Sequence, residues 1–205
     1  MSLRERPARP ARVWFHVGSG GLVLGLLELG PSRLVALSTA LGALAFVWLE
    51  ELLKRRSPRG RAWVLRLHAA TAHPHEADEV SSGTWFVTAV ALLVVFLPGV
   101  PAAAGVLVLT GADPVAGVVG RRFGTWRDSR GRSWEGSLAF AVAAFGLLSG
   151  FLVLGHGWPP EAAAKLAASA GVMGAAAERF VPVDDNLSVP VFVAVTVAAL
   201  GHASN

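Results

Sequence analysis

The sequence predicts an all-α protein, a polytopic membrane bundle of about seven transmembrane helices with a cytoplasmic N-terminus. Three observations predict it: a composition rich in apolar and poor in charged residues, a series of apolar runs of spanning length, and arginines gathered on alternate connections. Of the 205 residues 53% are hydrophobic and 16% charged, whereas a soluble domain carries about 25% charge. Mean hydropathy is +0.53. The chain therefore has ample apolar surface to bury, which excludes a disordered polar protein. With no cysteine it also lacks any disulfide framework, thiolate metal site or thiol nucleophile.

The apolar runs fall at about 14–30, 33–53, 83–99, 102–120, 136–154, 160–180 and 189–200. The second, fourth and sixth rest on context as well as hydropathy. A bilayer core of about 30 Å takes roughly 20 residues of helix, fewer where the bundle shields polar ends. Basic residues test the order of these spans, since Lys and Arg collect on cytoplasmic loops. Arg4, Arg6, Arg9 and Arg12 precede the first run, Lys54 to Arg66 follow the second, and Arg121 to Arg132 follow the fourth. The opposite connections, at Pro31, Pro101 and Trp158–Pro159, are short and hold almost no basic residue beyond Arg33. This places the chain in the cell membrane as one domain, 1–205, with its polar face toward the cytoplasm. The first run lacks a small-residue cleavage site and is expected to remain as a span.

The 54–82 connection is the largest extramembrane piece. Within it Trp63, Val64 and Leu67 share a helical face flanked by Arg61 and Arg66, which suits a helix lying in the interface. A solvated basic connector fits as well. His68, His73 and His75 with Glu76, Asp78 and Glu79 match no established zinc spacing and read as a polar loop. Trp14, Trp48, Trp85 and Trp158 fall near span ends, as an aromatic belt does.

Ionisable groups inside the bilayer are costly and mark function. Asp113 is the sharpest case: it precedes Arg121 by about eight residues, on the order of 12 Å along a helix. Pro114 follows it and removes an amide donor, so a kink or break is expected there. Gly111, Gly117, Gly120 and Gly124 surround this carboxylate with Arg121 and Arg122 between. Such glycines admit either a phosphate close to the backbone or a neighbouring helix. The turn Gly131-Arg132-Ser133-Trp134-Glu135-Gly136-Ser137 then opens the fifth span, offering amides and hydroxyls at a helix N-terminus, where phosphate binds. A plain cap accounts for Ser133 as well, but Glu135 there is unexpected without a cation. His16, Glu50, Glu51, Glu178, Asp184, Asp185 and Asn186 fall at the same side of the expected bundle. Acids and a histidine at one depth, opposite an arginine-rich glycine loop, suit a metal-nucleotide site. Glu50 and Glu51 also have Lys54 and Arg55 within a helical turn, and a simple pair explains at least one of them. P-loop and protein-kinase motifs are absent from the sequence.

The stretch 111–139, GADPVAGVVGRRFGTWRDSRGRSWEGSLA, resembles the CTP-dependent lipid-alcohol kinases, the family of dolichol (polyprenol) kinase, phytol kinase and yeast-type diacylglycerol kinase. Asp113, Ala116, Gly120, Phe123 and Gly124 are similar to the family's G-D-x-x-A-x-x-x-G-x-x-F-G segment. Ser133, Glu135, Gly136, Ser137 and Ala139 are similar to its K-[ST]-x-E-G-S-x-A. Asp185-Asn186-Leu-Ser-Val-Pro190 is similar to D-N-x-x-[IV]-P, and Arg12 with His16 to an N-terminal basic-x-x-x-His. Two departures stand out: Ala112 separates Gly111 from Asp113, and Arg132 replaces the family's lysine, keeping its charge without being a deprotonatable base.

The resemblance implies transfer of the CTP γ-phosphoryl group to a lipid alcohol (polyprenol, phytol or diacylglycerol) with Mg²⁺ or another divalent cation. It implies catalytic roles for Asp113, Glu135 and His16, metal contacts from Asp113, Glu135 and Asp185, and nucleotide contacts from Gly111, Gly120, Arg122, Gly124, Arg132, Ser133, Gly136, Ser137 and Asn186. The expected partners are the bilayer, the lipid substrate and CTP. A homo-oligomer stays open, and no nucleic-acid partner is expected. A phosphatidate cytidylyltransferase, which attacks the α-phosphorus of CTP, is the first alternative. A non-enzymatic transporter with Asp113 as an ion site is the second, although its usual internal repeats are not evident.

Overall fold

The computed structural model describes residues 10–69, 74–128 and 131–201. Among them the chain forms eight α-helices: α1 (Pro10–Glu28), α2 (Arg33–Arg56), α3 (Pro58–Leu67), α4 (Ser82–Phe96), α5 (Val100–Phe123), α6 (Trp134–Gly150), α7 (Pro160–Phe180) and α8 (Asp185–Gly201). A 3₁₀ turn, Pro74–Ala77, precedes α4, and a π-helical turn, Phe151–Gly155, extends α6. Three segments are long and apolar enough to cross a membrane, Arg33–Arg56, Val100–Phe123 and Trp134–Gly155; Val13–Glu28, Ser82–Phe96 and Asp185–Gly201 are shorter apolar helices.

Serines start the helices that follow polar connections. Ser32, Ser57, Ser81 and Ser133 each accept an amide hydrogen bond from the first turn of α2, α3, α4 and α6, at 3.4, 2.9, 3.2 and 3.0 Å. These bonds satisfy donors that a helix start leaves without partners. Gly99 enters α5 at φ +79°, a backbone region costly for other residues.

Helix α5 is central. It packs on α6, α8 and α1, while α7 fills the space between α6 and α8, and α4 joins α8 to α2. The inward face of α5 is built from Ala102, Ala103, Ala104, Val106, Val108 and Leu109, all essentially inaccessible, against Phe140, Leu148, Val189 and Val193. Close approach needs small residues. A Cβ on Gly105 would stand 2.5 Å from the Pro190 carbonyl oxygen, and one on Gly174 would stand 2.9 Å from Phe140 and Val193. Outside this core the perimeter is apolar: Leu22, Leu26, Phe46, Leu138, Val142, Leu154 and Val172 are exposed. Exposed large apolar side chains in this number suit a surface that a bilayer solvates.

The expected break at Pro114 does not occur. Helix α5 runs unbroken from Val100 to Phe123 with Pro114 inside it. Its neighbours hold it, since Ala112 and Ala116 on either side of the proline are packed in the core. Likewise α8 starts at Asp185, earlier than the apolar run suggests, and carries Pro190 within it.

Candidate functional site

At one end of the bundle α1 begins and α2, α5 and α7 finish, the last with Lys54, Arg55 and Arg56, with Arg121 and Arg122, and with Arg179. This basic end holds two adjoining polar regions.

The first is organised by the connection from α5 to α6, folded as a short hairpin. Arg127 and Ser133 form a bridge, Trp134 N donates to Trp126 O at 3.0 Å, and Asp128 N to Arg132 O at 2.9 Å. Gly131 turns the chain at φ +81°. Arg127 ties the hairpin to α5, donating at 2.8 Å to Gly120 O and at 3.0 Å to Gly131 O. It thereby satisfies a carbonyl at a helix C-terminus. Glu135 clamps the same turn: its Oε1 accepts from Thr125 N at 2.9 Å, from Trp126 N at 3.4 Å and from the Thr125 hydroxyl.

Arg132 reaches from this hairpin to α8, where its Nη2 lies 3.0 Å from both carboxylate oxygens of Asp185. Arg179, buried at the end of α7, stacks 3.6 Å from the Trp134 ring centroid, donates to Ser137 Oγ at 3.4 Å and lies 3.7 Å from Asp128. The charges bearing on Glu178 are those of Asp113, Arg132, Arg179 and Asp128, and those bearing on Asp185 are Arg132, Glu178, Asp113 and Asp184. Asp113 of α5, Glu178 of α7 and Asp185 of α8 are thus electrostatic neighbours around Arg132. Within this group Arg132 Nη1 and Glu178 Oε2 are buried without a hydrogen-bond partner among the described residues. A buried charged donor and a buried acid oxygen left unsatisfied are costly in a closed protein. They are what a phosphate and its cation would satisfy.

The second region is a cavity of about 330 Å³ between α1, α2, α3 and α4. His16 and Ser19 of α1, Glu50, Glu51 and Lys54 of α2, His68, Glu76 and Asn186 supply its polar wall; Phe15, Leu22, Val23, Val47 and Phe86 supply the apolar one. Lys54 is buried, pairs with Glu51 at 2.7 Å and donates to Glu76 O at 3.0 Å and Glu79 O at 2.7 Å. Glu51 Oε1 also accepts from Ser81 N at 2.9 Å. Glu50 faces His68 at 3.3 Å through Oε2. The two regions meet at Asn186, which lines the cavity and donates to Asp184 at 2.8 Å.

The structure therefore brings Arg132 and Asp185 into contact, with Asp113 near enough for its charge to act on Asp185 and Glu178, and places His16 and Asn186 on the adjoining cavity. His16 Nε2 lies 3.3 Å from Leu109 O. A carbonyl can only accept, so Nε2 carries the hydrogen and a neutral ring keeps its lone pair on Nδ1.

Other expected residues have structural work to do. Glu135 gives Oε1 to the Thr125 and Trp126 amides, while its Oε2 is buried without a hydrogen-bond partner among the described residues; it is not among the charges that bear on Glu178 or Asp185. Ser133 caps α6 and Ser137 meets Arg179. A Cβ on Gly120 or Gly136 would meet Ser133 Oγ at 2.9 or 3.0 Å, and one on Gly124 would meet the Gly120 carbonyl at 2.3 Å; on Gly111 it would meet Leu147 at 2.6 Å. These glycines let α6 and its hairpin lie against α5. Arg122 is exposed, 5.5 Å from the Phe123 ring. Arg12 and His75 side chains, His73 and Arg130 lie outside the described residues.

No group of three or more His, Asp and Glu arranged to hold a metal is found among the described residues. Magnesium needs no such cage: it binds through one or two carboxylates, several waters and the phosphates of its nucleotide. The acids beside Arg132 fit that pattern. Sequence reasoning overlooked Arg179, whereas the helical pairing it expected for Glu50 or Glu51 is found between Lys54 and Glu51, both buried. The signal for Arg179 was present, a guanidinium closing an alanine-rich helix beside Glu178.

Comparison of the chain with models of known families, with curated proteins and with solved structures returned no match.

Proposed function

We propose that this protein is a membrane-embedded kinase that transfers the γ-phosphoryl group of CTP to the hydroxyl of a lipid alcohol. In this reading seven helices, all but α3, cross the membrane and the basic end faces the cytoplasm, from which CTP arrives. The observation that carries it is the buried, partnerless Nη1 of Arg132 beside Asp113, Glu178 and Asp185. One cation edge and several carboxylates at the membrane end of a bundle suit a triphosphate with its cation, and the adjoining cavity with one polar and one apolar wall suits an amphiphilic acceptor.

Arg132 Nη1 donates to a phosphate oxygen while Nη2 stays on Asp185, so the pair positions the nucleotide without a free rotor. One or two of Asp113, Glu178 and Asp185 would hold magnesium, with waters and the phosphates of the nucleotide supplying its other ligands. When bound, that ion would neutralise charge on the nucleotide's phosphates. The acceptor oxygen bonds to the γ-phosphorus as the bond to the β–γ bridging oxygen breaks, CDP departs, and the hydroxyl proton goes to the cavity wall, where His16 offers Nδ1. Glu135 and Arg127 keep the hairpin shaped around the phosphates.

Purified protein in lipid bilayers, given CTP labelled at either the α- or the γ-phosphorus together with an extract of membrane lipids, tests the reading. Lipid labelled from the γ position alone is expected. Label arriving from the α position would identify a cytidylyltransferase and remove the kinase. Asp113→Asn, in protein with unchanged thermal unfolding, is expected to lower transfer at least about 100-fold.

A further inference from the structure

Helices α1 and α2 are consecutive, yet they diverge. α1 packs against α5 and α2 against α4, with little contact between the two themselves. They converge at the end away from the basic residues, where Leu27 of α1 joins Leu37, Ala40 and Leu44 of α2 and Val94 of α4. Toward the basic end the gap between them is the cavity.

Its mouth is apolar. Phe15 and Leu22 line the cavity while remaining 58% and 65% exposed, so it opens sideways onto the apolar perimeter as well as onto polar surroundings. Its far wall holds Glu50, 6% exposed, whose Oε1 is buried with no hydrogen-bond partner among the described residues while Oε2 faces His68. A buried carboxylate oxygen without a donor is a strong, unsatisfied acceptor.

We infer that this cavity is the binding site of the acceptor lipid, which enters sideways between α1 and α2 and donates its hydroxyl hydrogen bond to Glu50 Oε1. The inference rests on the kinase reading for the identity of the lipid, and it concerns the binding step, before any proton moves. The head must be a donor, because an ionised carboxylate oxygen only accepts. It must not be a phosphate monoester, because Glu50 and Glu51 line the site and Lys54 is already engaged by Glu51. The site therefore takes the alcohol and rejects its phosphorylated product, which favours product release.

A long-chain prenyl alcohol carrying a photoactivatable group near its hydroxyl end, added without nucleotide to the protein in bilayers, tests this. Labelling is expected at Phe15, Leu22 or Val47, competed by the unlabelled alcohol about tenfold better than by its methyl ether or its phosphate. Glu50→Ala should lower capture about tenfold. Leu22→Trp, an exposed change that leaves the core untouched, should block the mouth and do the same. Capture elsewhere on the chain, or equal capture by Leu22→Trp, would overturn the assignment. The two proposals fail separately. Capture as described with no γ-label transfer removes the kinase and keeps the site; γ-transfer with an unchanged lipid KM in both variants removes the site and keeps the kinase.

Discussion

Two arginines near the start of α6 and the end of α7 do different work, and substitution separates them. Arg132 spends one nitrogen on Asp185 and leaves the other buried without a partner. Arg132→Ala is expected to raise the KM for CTP about 10–100-fold, because a charge-assisted phosphate contact is lost. Arg132→Lys should recover part of it, since an ammonium keeps the charge but not the fork that holds Asp185 and phosphate together. Arg179, by contrast, is fully engaged with Trp134, Ser137 and Asp128. Arg179→Ala should cost about 2–3 kcal/mol, from loss of a buried stacked guanidinium and its acid partner. Thermal unfolding in detergent would read this as a lowered midpoint with the KM for CTP little changed, whereas for Arg132→Ala the rise in KM is the separating readout, since loss of its Asp185 pair also lowers the midpoint.

At the scale of the helices, small residues decide how closely α5 meets its neighbours. A methyl on Gly105 would stand 2.5 Å from the Pro190 backbone, which cannot rotate away, whereas Gly42 of α2 has nothing within 4 Å. Gly105→Ala should destabilise by about 1–3 kcal/mol through overpacking, and Gly42→Ala should be neutral or stabilise by up to about 1 kcal/mol through helix propensity. Paired unfolding midpoints for the two variants check the contrast. The glycine-rich segment of α5 illustrates why a motif is ambiguous on its own. Spacing of Gly111, Gly120 and Gly124 fits both a phosphate cradle and a helix contact, and in the fold protein atoms stand where their Cβ atoms would be. Glu135 was ambiguous for the same reason: its partners, the Thr125 and Trp126 amides, are close only because the hairpin turns back.

For the whole molecule, the testable statement is sidedness. Because the chain has no cysteine, single cysteines report position without background. In intact cells, Ser57→Cys and Thr125→Cys are expected to be shielded from a membrane-impermeant thiol reagent, and Ser32→Cys and Glu161→Cys to react. Reaction of both groups alike would refute seven crossings with a cytoplasmic basic end, and with it the delivery of CTP to Arg132.

Composition, apolar run length and serine caps are local properties, so the sequence by itself determined that this chain is helical, where most helices begin, and that its perimeter suits lipid. The resemblance at 111–139 and 185–190 named the residues to watch. Which of them meet was decided by tertiary structure, because Asp113, Arg132, Glu178 and Asp185 come from four separate segments whose distances depend on the packing of α5 through α8. The unbroken passage of α5 through Pro114 was decided there too, since core packing on both sides outweighs one missing amide hydrogen bond. So was the cavity between α1 and α2, a space left where the two helices diverge toward the basic end and therefore written in neither one.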